Sequence, residues 1–305
     1  MDKEQIKRSF KEYTNKHPDQ VAWFTKLIVD RPRVRIHNQH ILRELHKMRD
    51  SVSFIFYFIP HGRKIDPAVV TQRVIKPLVD PVELAWWTSV KWTVESERLQ
   101  ETELDKEIPP IGVGSKIAPY YADFLKFRLL TMVQTHLKEG MSGDLQKIAT
   151  DINFSSIREA KRILTKPGTG VGLSPESHRN NYAGLQRARE GIELLFKHNP
   201  IPVLAVPMVL NGVDQFQLRD IDGEDSPLDY NPFATIDVNI GHPIKYEEAK
   251  IIASCYEWVD PKMGKFTVPD GLMMHGAAYG LRQVKSGVDP CGVYAWENIR
   301  IITRE

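Results

Sequence analysis

His61 and Asp66 stand five positions apart, directly after the apolar run at 54–59. A histidine accepts a proton near neutral pH, and a nearby carboxylate fixes its tautomer and stabilises the imidazolium that forms. The pair is therefore a candidate general base that activates an external hydroxyl. The alternative is structural, because Asp66 followed by Pro67 is also a typical helix start with the aspartate as N-cap. The spacing alone leaves both interpretations open.

A second group of reactive side chains, Glu176, His178 and Arg179, follows the short apolar segment at 169–173. The planar guanidinium of an arginine binds phosphate through parallel hydrogen bonds, so Arg179 is a candidate anion-binding residue. A surface pairing of Arg179 with Glu176 is the alternative. Both groups of side chains follow predicted strands, and loops at strand ends are where α/β proteins place reacting groups.

Two other motifs, the serine-hydrolase elbow and the nucleotide-binding glycine loop, are not matched by the sequence. The segment 172–176 resembles a GxSxG elbow but has glutamate in place of the second glycine, so in an acyl transfer the nucleophile would be the substrate's own hydroxyl. The glycines at 168–172 do not match GxGxxG, and no nucleotide site is predicted. Arg63 and Lys64, beside the histidine, favour a phosphate-bearing substrate or simply form a solvated turn.

Composition narrows the class of protein. The 305 residues include 41 basic and 39 acidic side chains, a near balance that argues against a dedicated nucleic-acid binder. Two cysteines, Cys255 and Cys291, form no CxxC pattern, so neither a disulfide framework nor a zinc ribbon is predicted. No signal-peptide pattern and no run of about 18 apolar residues occurs. We expect a cytoplasmic protein, with peripheral membrane contact left open.

Apolar periodicity from residue 50 onward alternates between strand and helix patterns, which predicts an α/β fold. We expect a mixed, mostly parallel sheet flanked by helices, with a small N-terminal helical segment. The predicted strands are 52–59, 84–94, 169–173, 202–210 and 234–240. The predicted helices lie around 6–13 and 41–48, and at 67–78, 116–137, 156–164 and 185–196. Ser156 is predicted to open the helix at 156–164 with a capping box.

The predicted organisation is an N-terminal helical segment at 1–50, a main domain at 51–245, and a C-terminal helical extension at 246–305 packed on the same domain. An insertion is expected near 95–150. The basic segment 31–35 is interpreted as a solvated connector rather than a face toward anionic lipid. The helix at 116–137 has a broad apolar surface, which suits a core position or contact with an acyl chain.

Four sequence blocks, taken in order, resemble the glycerophospholipid acyltransferase family, which includes the lysophosphatidate and glycerol-3-phosphate acyltransferases. Residues 61–66 resemble the His-x4-Asp block of that family, and residues 173–179 resemble its Phe-Pro-Glu-Gly-Thr-Arg block. Residues 206–212 are similar to the proline-bearing strand block, and 240–244 to the Gly-x-Pro-Ile turn. The resemblance covers roughly residues 50 to 245.

The resemblance implies a glycerol-phosphate acyltransferase-like fold and an O-acyltransferase. The fatty acyl group would pass from acyl-CoA or acyl-carrier protein to the hydroxyl of 1-acylglycerol 3-phosphate or glycerol 3-phosphate. By similarity, His61 would deprotonate that hydroxyl and Asp66 would orient the histidine. The transfer would be direct, without an acyl-enzyme and with no cofactor besides the co-substrate.

The resemblance also implies a set of substrate-binding residues, in which Glu176 and Arg179 position the acceptor, Arg179 holds its phosphate, and Pro207 shapes the pocket. Arg158 is the best-placed counterpart of a further phosphate-binding arginine. The complete set is Arg63, Arg158, Pro175, Glu176, Arg179 and Pro207. Ser177 stands where the family has a glycine.

Two other functions remain open. A metal-dependent hydrolase would use His61, Asp66, Glu176 and His178 as ligands, although they lack HExxH-like spacing. A non-catalytic lipid or acyl-carrier binding protein would use the apolar helix at 116–137, and Ser177 in place of glycine is its best support.

Overall fold

The computed structural model describes residues 3–59, 65–89, 113–133, 143–175, 187–219, 225–285 and 299–301. The helices are α1 (Lys3–Lys16), α2 (Pro18–Val29), α3 (Gln39–Met48), α4 (Asp66–Val70), α5 (Lys76–Leu78), α6 (Val113–Phe124), α7 (Gly143–Leu164), α8 (Gly191–Phe196), α9 (Val213–Phe216), α10 (Tyr246–Ser254) and α11 (Val268–Lys285). A π-helical turn, Thr71–Ile75, joins α4 to α5, and a 3-10 turn, Pro261–Met263, precedes α11.

The strands are β1 (Arg33–His37), β2 (Ser53–Ile59), β3 (Glu83–Ser89), β4 (Arg128–Met132), β5 (Thr169–Leu173), β6 (Val203–Asn211), β7 (Gln217–Arg219), β8 (Asp225–Tyr230), β9 (Thr235–Ile240), β10 (Tyr256–Trp258) and β11 (Ile299–Ile301). The chain divides into two compact units, one of residues 1–30 and 84–160, the other of residues 31–83 and 161–305. The domain boundaries at 50 and 245 stay a prediction.

The second unit contains a mixed, mostly parallel sheet. Among the described residues its strands follow the order β1, β9, β6, β2, β5. The pairs β1–β9, β6–β2 and β2–β5 are parallel, and β6–β9 is antiparallel. Helices flank these strands, with α11 packed against β2 and β6. The predicted α/β class and mixed sheet are confirmed.

The central strand β2 is buried along its whole length, which requires cover on both faces. Phe54 and Phe56 stand beside Gly170 and Gly172 of β5, and the missing side chains leave room for the two rings, whose centroids lie 5.5 Å apart. The alternation of phenylalanine in one strand with glycine in its neighbour therefore fixes the register of this pair.

The opposite face of β2 packs against α11 at close range. The hydroxyl of Tyr57 donates to the carbonyl of Leu272 at 3.0 Å. A Cβ added at Gly276 would stand 2.7 Å from Cδ1 of Ile59, so only glycine permits this approach of helix to strand. The C-terminal helix is thereby held against the strand that leads to the histidine motif.

The first unit contains α1, α2 and α6, which pack on one another, and the parallel pair β3–β4. Ser156 lies within α7, and its hydroxyl donates to the carbonyl of Thr131 in β4 at 2.6 Å. The side chain of Asn153 bonds both backbone groups of Val133, at 2.7 and 2.9 Å. Polar groups of α7 therefore hold the end of β4.

Three predicted helices are wrong in extent. The helix expected at 185–196 begins only at Gly191, and the described residues 187–190 before it are not helical. The helix expected at 116–137 ends at Phe124, and Arg128–Met132 is a strand; Lys126 adopts a left-handed φ of 54°, which stops the helix. The capping box expected at Ser156 does not open a helix, because α7 begins at Gly143 and passes through it. The error at 116–137 arises because an apolar run fits both a helix and a buried strand. The error at 156–164 arises because contacts along a long helix outweigh a local capping pattern.

The N-terminal region also contains elements that the sequence did not predict. The predicted helices around 6–13 and 41–48 are present, but Pro18–Val29 forms a further helix. Within the basic segment interpreted as a connector, Arg33–His37 is a strand paired in parallel with β9. Alternation of basic residues with valine and isoleucine is typical of a half-buried strand. The segment was interpreted as a connector because of its positive charges.

The helix expected at 67–78 is confirmed in extent and contains a π-helical turn. Thr71 opens this turn, and its side chain is fully buried with no hydrogen-bond partner for Oγ1 among the described residues. We expect Thr71→Val to raise the free energy of unfolding by about 1 kcal/mol, since a buried unpaired hydroxyl costs about 1–3 kcal/mol. Urea denaturation measures this change.

A matched control for that substitution is Thr169→Val. Thr169 is equally buried, but its hydroxyl lies 2.6 Å from the carbonyl of Ile163 and 2.9 Å from that of Lys166. The control is expected to lose about 1 kcal/mol. Equal losses of unfolding free energy in both variants would contradict the absence of a hydrogen-bond partner for Oγ1 of Thr71 among the described residues.

Candidate active site

Three parallel strands of the second unit, β2, β5 and β6, end at the same edge of the sheet. Tyr57 stands beside Leu173 on one side and beside Pro207 on the other. Since parallel strands run in one direction, the residues after Ile59, Leu173 and Asn211 leave the sheet at this edge. Open α/β sheets bind ligands in the crevice at the carboxyl ends of their strands. β2, which precedes the block at 61–66, and β5, which leads into the block at 173–179, therefore end at neighbouring points of one edge.

Asp66 is the described member of the His-x4-Asp block. It is the first residue of α4, with Ile65 as N-cap, so the predicted cap position is wrong by one residue. Its side chain is 1% exposed. An ionised carboxylate is buried in proteins only with hydrogen-bonding or charged partners. Asp66 is therefore a buried carboxylate at the start of α4, and its pairing with His61 stays a prediction.

Pro175 lies two residues after the end of β5 and is buried. Its carbonyl accepts a hydrogen bond from the backbone N–H of Arg189 at 3.0 Å. The described residues on either side of 176–186 are therefore hydrogen-bonded to each other near the end of β5.

Pro207 lies in the middle of β6, beside Tyr57 of β2. Pro207 has no N–H to donate. It stands directly before Met208, the first residue of β6 in the antiparallel ladder with β9. The carbonyl of Pro207 accepts from the N–H of Gly241 at 2.8 Å, and Ala205 then forms a bridge with Ile244. The ladder with β9 thus ends at the proline, and the 240–244 block continues beside β6.

The remaining predicted site residues divide into two groups. His61, Arg63, Glu176 and Arg179 lie outside the described residues, so their roles stay predictions. Arg158 is an exposed residue of α7 and belongs to the first unit, whereas Asp66, Pro175 and Pro207 belong to the second. Its part in phosphate binding also stays a prediction.

The structure adds a polar group at the same edge that the sequence did not predict. Asp237 of β9 stands opposite Asn211 at the end of β6, and both side chains are buried. Arg35 of β1 donates to Asp237 through Nε to Oδ1 at 2.8 Å and through Nη2 to Oδ2 at 2.7 Å. Nε2 of His37 lies 2.7 Å from Oδ1 of the same carboxylate. The basic residues of the segment 31–35 are thus partly used for internal pairing.

The pKa of the Asp237 carboxyl results from opposing effects. Burial opposes ionisation, but hydrogen bonds and charge from Arg35 and His37 outweigh it and hold the pKa below its ordinary value. The hydrogen bonds and charge of Asp237 in turn raise the pKa of Arg35. Asp237 is therefore ionised in the folded protein throughout the neutral range.

This arrangement predicts a specific acid sensitivity. A depressed carboxyl pKa contributes stability that is present above the unfolded-state value of about 3.9 and is lost as the pH falls through the folded-state value. We expect Asp237→Asn to be less stable than the native protein at pH 7, with a difference that narrows below about pH 4. Urea denaturation at several pH values measures it.

The control for that experiment is Asp123→Asn. The side chain of Asp123 is 78% exposed and lies 3.5 Å from Lys126, so its removal is expected to change stability little at any pH. A constant difference between the native protein and Asp237→Asn from pH 7 to pH 3 would contradict the ion-pair account.

A shallow cavity of about 270 Å³ opens at the other edge of the sheet, where β6 begins, and Val203, Lys197 and Tyr246 help to line it. The hydroxyl of Tyr246 donates to Glu193 at 2.6 Å. Burial and this hydrogen bond raise the pKa of Tyr246 to about 12. The cavity lies away from the strand ends that carry the acyltransferase-like blocks.

Within the described part of the chain, no group of three or more His, Cys, Asp or Glu side chains is arranged to hold a metal ion. Of the four ligands expected of a metal-dependent hydrolase, Asp66 is described, whereas His61, Glu176 and His178 lie outside the described residues. Nor does any helix of the described residues have the length and apolarity needed to cross a bilayer.

Comparison with known proteins gave no match to a protein-family model and none to a curated protein. Among solved structures, the chain is similar to the 1-acyl-sn-glycerophosphate (LPA) acyltransferase PlsC from Thermotoga maritima. The two are 13% identical, with a TM-score of 0.42, and the match covers 92% of this chain and 83% of that chain. At this level of similarity, assignment of an activity depends on the residues of the chain itself.

Proposed function

We propose that the protein is an O-acyltransferase that acts on a glycerol phosphate. The fatty acyl group comes from acyl-CoA or acyl-carrier protein, and the acceptor is glycerol 3-phosphate or its 1-acyl derivative. The observation that carries the proposal is the parallel register of β2, β5 and β6, which ends the strands before the His-x4-Asp and phosphate-binding blocks at one edge. The strands that lead into the two family-like blocks thus end close together in space, which supports the proposal.

The proposed reaction uses His61 as general base. It takes the proton of the acceptor hydroxyl while that oxygen attacks the thioester carbonyl carbon of the donor. The carbon–sulfur bond then breaks, the acyl group remains on the acceptor as an ester, and the thiolate leaves with the proton from His61. Asp66 holds the histidine and stabilises the imidazolium, and its burial supports this role.

The proposed acceptor site uses Glu176 and Arg179, with the guanidinium of Arg179 on the phosphate. Pro175 and Pro207 frame the site at the ends of β5 and along β6, and both are buried. Arg63 and Arg158 are further proposed phosphate contacts. No cofactor other than the acyl donor is needed, and peripheral contact with a membrane would supply an acylated acceptor.

Release of free thiol tests the class of reaction. Purified protein is mixed with acyl-CoA or acyl-carrier protein, and thiol is followed with and without a glycerol phosphate. The proposal predicts release that depends on the acceptor. Equal release without acceptor would indicate a hydrolase, and no release over a panel of acceptors would indicate a binding protein; either result contradicts the proposal.

A further inference from the structure

The turn at 231–234, directly before β9, presents an aromatic ring to solvent. The side chain of Phe233 is 91% exposed, and Pro232 beside it is exposed as well. Hydrogen bonds fix the backbone of the turn. The N–H of Asn231 donates to the carbonyl of Phe216 at 2.9 Å, and the N–H of Phe233 donates to Oδ1 of Asn231 at 3.0 Å. A fixed backbone thus holds two apolar residues at the surface of the second unit.

Arginines surround this turn. The backbone N–H of Arg33 donates to the carbonyl of Ala234 at 3.1 Å, and Nη1 of Arg73 lies 3.5 Å from the carbonyl of Pro32. Arg31 and Arg33 are exposed, and within the described part of the chain neither forms an ion pair with an acidic side chain. A single exposed apolar residue is common on soluble proteins, but an apolar residue flanked by such cations suits contact with anionic lipid.

The acidic side chains close to these arginines already face a cation. Oδ2 of Asp237 accepts from Nη2 of Arg35 at 2.7 Å. The carboxylate of Asp30 lies 3.8 Å from the ammonium of Lys26. The positive charge beside the turn is therefore available to an anionic partner, and its effect is expected to weaken with salt, as for any exposed charge.

The strand register places the turn beyond the ends of the central strands. Ile59, the last residue of β2, stands beside Val209, which lies opposite Asn239. Asn239 stands beside His37, the last residue of β1, and β1 begins four residues earlier at Arg33. Since β1 runs antiparallel to β2, Arg33 extends about 13 Å past the level where β2 ends, at about 3.3 Å per residue. A partner that contacts this surface faces the edge where β2, β5 and β6 end.

We propose that Phe233, Arg31 and Arg33 dock the protein on an anionic phospholipid bilayer. The ring enters the interface, and the guanidinium groups bind lipid phosphates through charge-assisted hydrogen bonds. The fixed turn lowers the cost of ordering on binding. This inference rests on the proposed function and deepens it, because an acylated glycerol phosphate is a membrane lipid, and docking at this surface turns the strand ends toward it.

The test is co-sedimentation of the full chain with vesicles of phosphatidylcholine, either alone or mixed with phosphatidylglycerol. The native protein is expected to bind the mixed vesicles more tightly, and less so at high salt. We expect Phe233→Ala to lower the partition coefficient about tenfold, as loss of one buried apolar side chain would. The double variant Arg31→Gln/Arg33→Gln is expected to lower it about 20-fold on mixed vesicles and little on phosphatidylcholine alone.

Matched controls remove the same kinds of side chain from the opposite edge of the sheet. Val82 is 75% exposed, and its N–H donates to the carbonyl of Gly168, directly before β5. Lys166 and Lys197 are exposed residues that precede β5 and β6. Val82→Ala and the double variant Lys166→Gln/Lys197→Gln are expected to bind vesicles as the native protein does. Equal losses of binding in these controls would overturn the proposal, because net charge and apolarity would then explain them.

Vesicle binding needs no acyl transfer, so the docking surface and the proposed function fail separately. A protein that docks through these residues and transfers no acyl group supports the surface and contradicts only the proposed function. No sedimentation of the native protein with mixed vesicles, or native binding by both docking variants, would overturn the surface. Normal vesicle binding by the arginine variant, with transfer lost only from acyl-carrier protein, would assign the arginines to an acidic protein and would also overturn it.

Discussion

Replacement of His61 with alanine is expected to lower acyl transfer to a glycerol phosphate by about 10²- to 10⁴-fold. The physical reason is that imidazole is the side chain that ordinarily accepts a proton near neutral pH, and His61 is the histidine of the block. The kcat/KM for the acceptor, measured with saturating acyl donor, gives the effect. Thermal unfolding of the variant is expected to match that of the native protein.

A second histidine supplies the control for this experiment. His40 is an exposed residue of α3, and His40→Ala removes the same ring from a position that has no part in the proposed site. It is expected to retain native activity. Retention of most activity in His61→Ala would remove the dyad from the mechanism.

Gly212→Ala is expected to have the largest effect on stability, a loss of about 3 kcal/mol or more in the free energy of unfolding. Gly212 follows β6 with a φ of 81°, a left-handed conformation that an L-residue adopts at a cost. A Cβ at this position would also overlap the backbone oxygen of Thr235. Since that oxygen belongs to β9, relief of the clash would separate two strands.

The same substitution at Gly143 is the matched control. Gly143 begins α7, and a Cβ there would meet nothing within 4 Å. We expect Gly143→Ala to be neutral or to stabilise the protein by up to about 1 kcal/mol, because alanine favours the helix. Equal urea midpoints for Gly212→Ala and the native protein would contradict the description of the β6 end.

The sheet could be predicted from the sequence where strands are buried on both faces. The apolar runs of β2, β5 and β6 are short and bounded by polar or turn residues, which identifies them as strands. The run through Leu129 and Met132 was wrongly predicted as helix, because it directly follows a true helical pattern and only the left-handed Lys126 separates the two.

Contacts between distant residues are the part that the sequence could not predict. The Arg35–Asp237 pair joins residues 202 positions apart, and only the alternation of polar and apolar residues in β1 and β9 offered a signal. The same is true of Asp270 and Ala188, 82 positions apart. A short pattern shows which side chains share a face, but pairing of two such faces depends on the order of strands in the sheet.

The central claim, acyl transfer to a glycerol phosphate, is tested most directly by product identity. Labelled acyl-CoA and labelled acyl-carrier protein are each offered glycerol 3-phosphate and its 1-acyl derivative, and the lipid products are separated. The account predicts label in an ester of at least one acceptor with the native protein, and none with His61→Ala. Label only in free fatty acid, or only in unreacted donor, would contradict it.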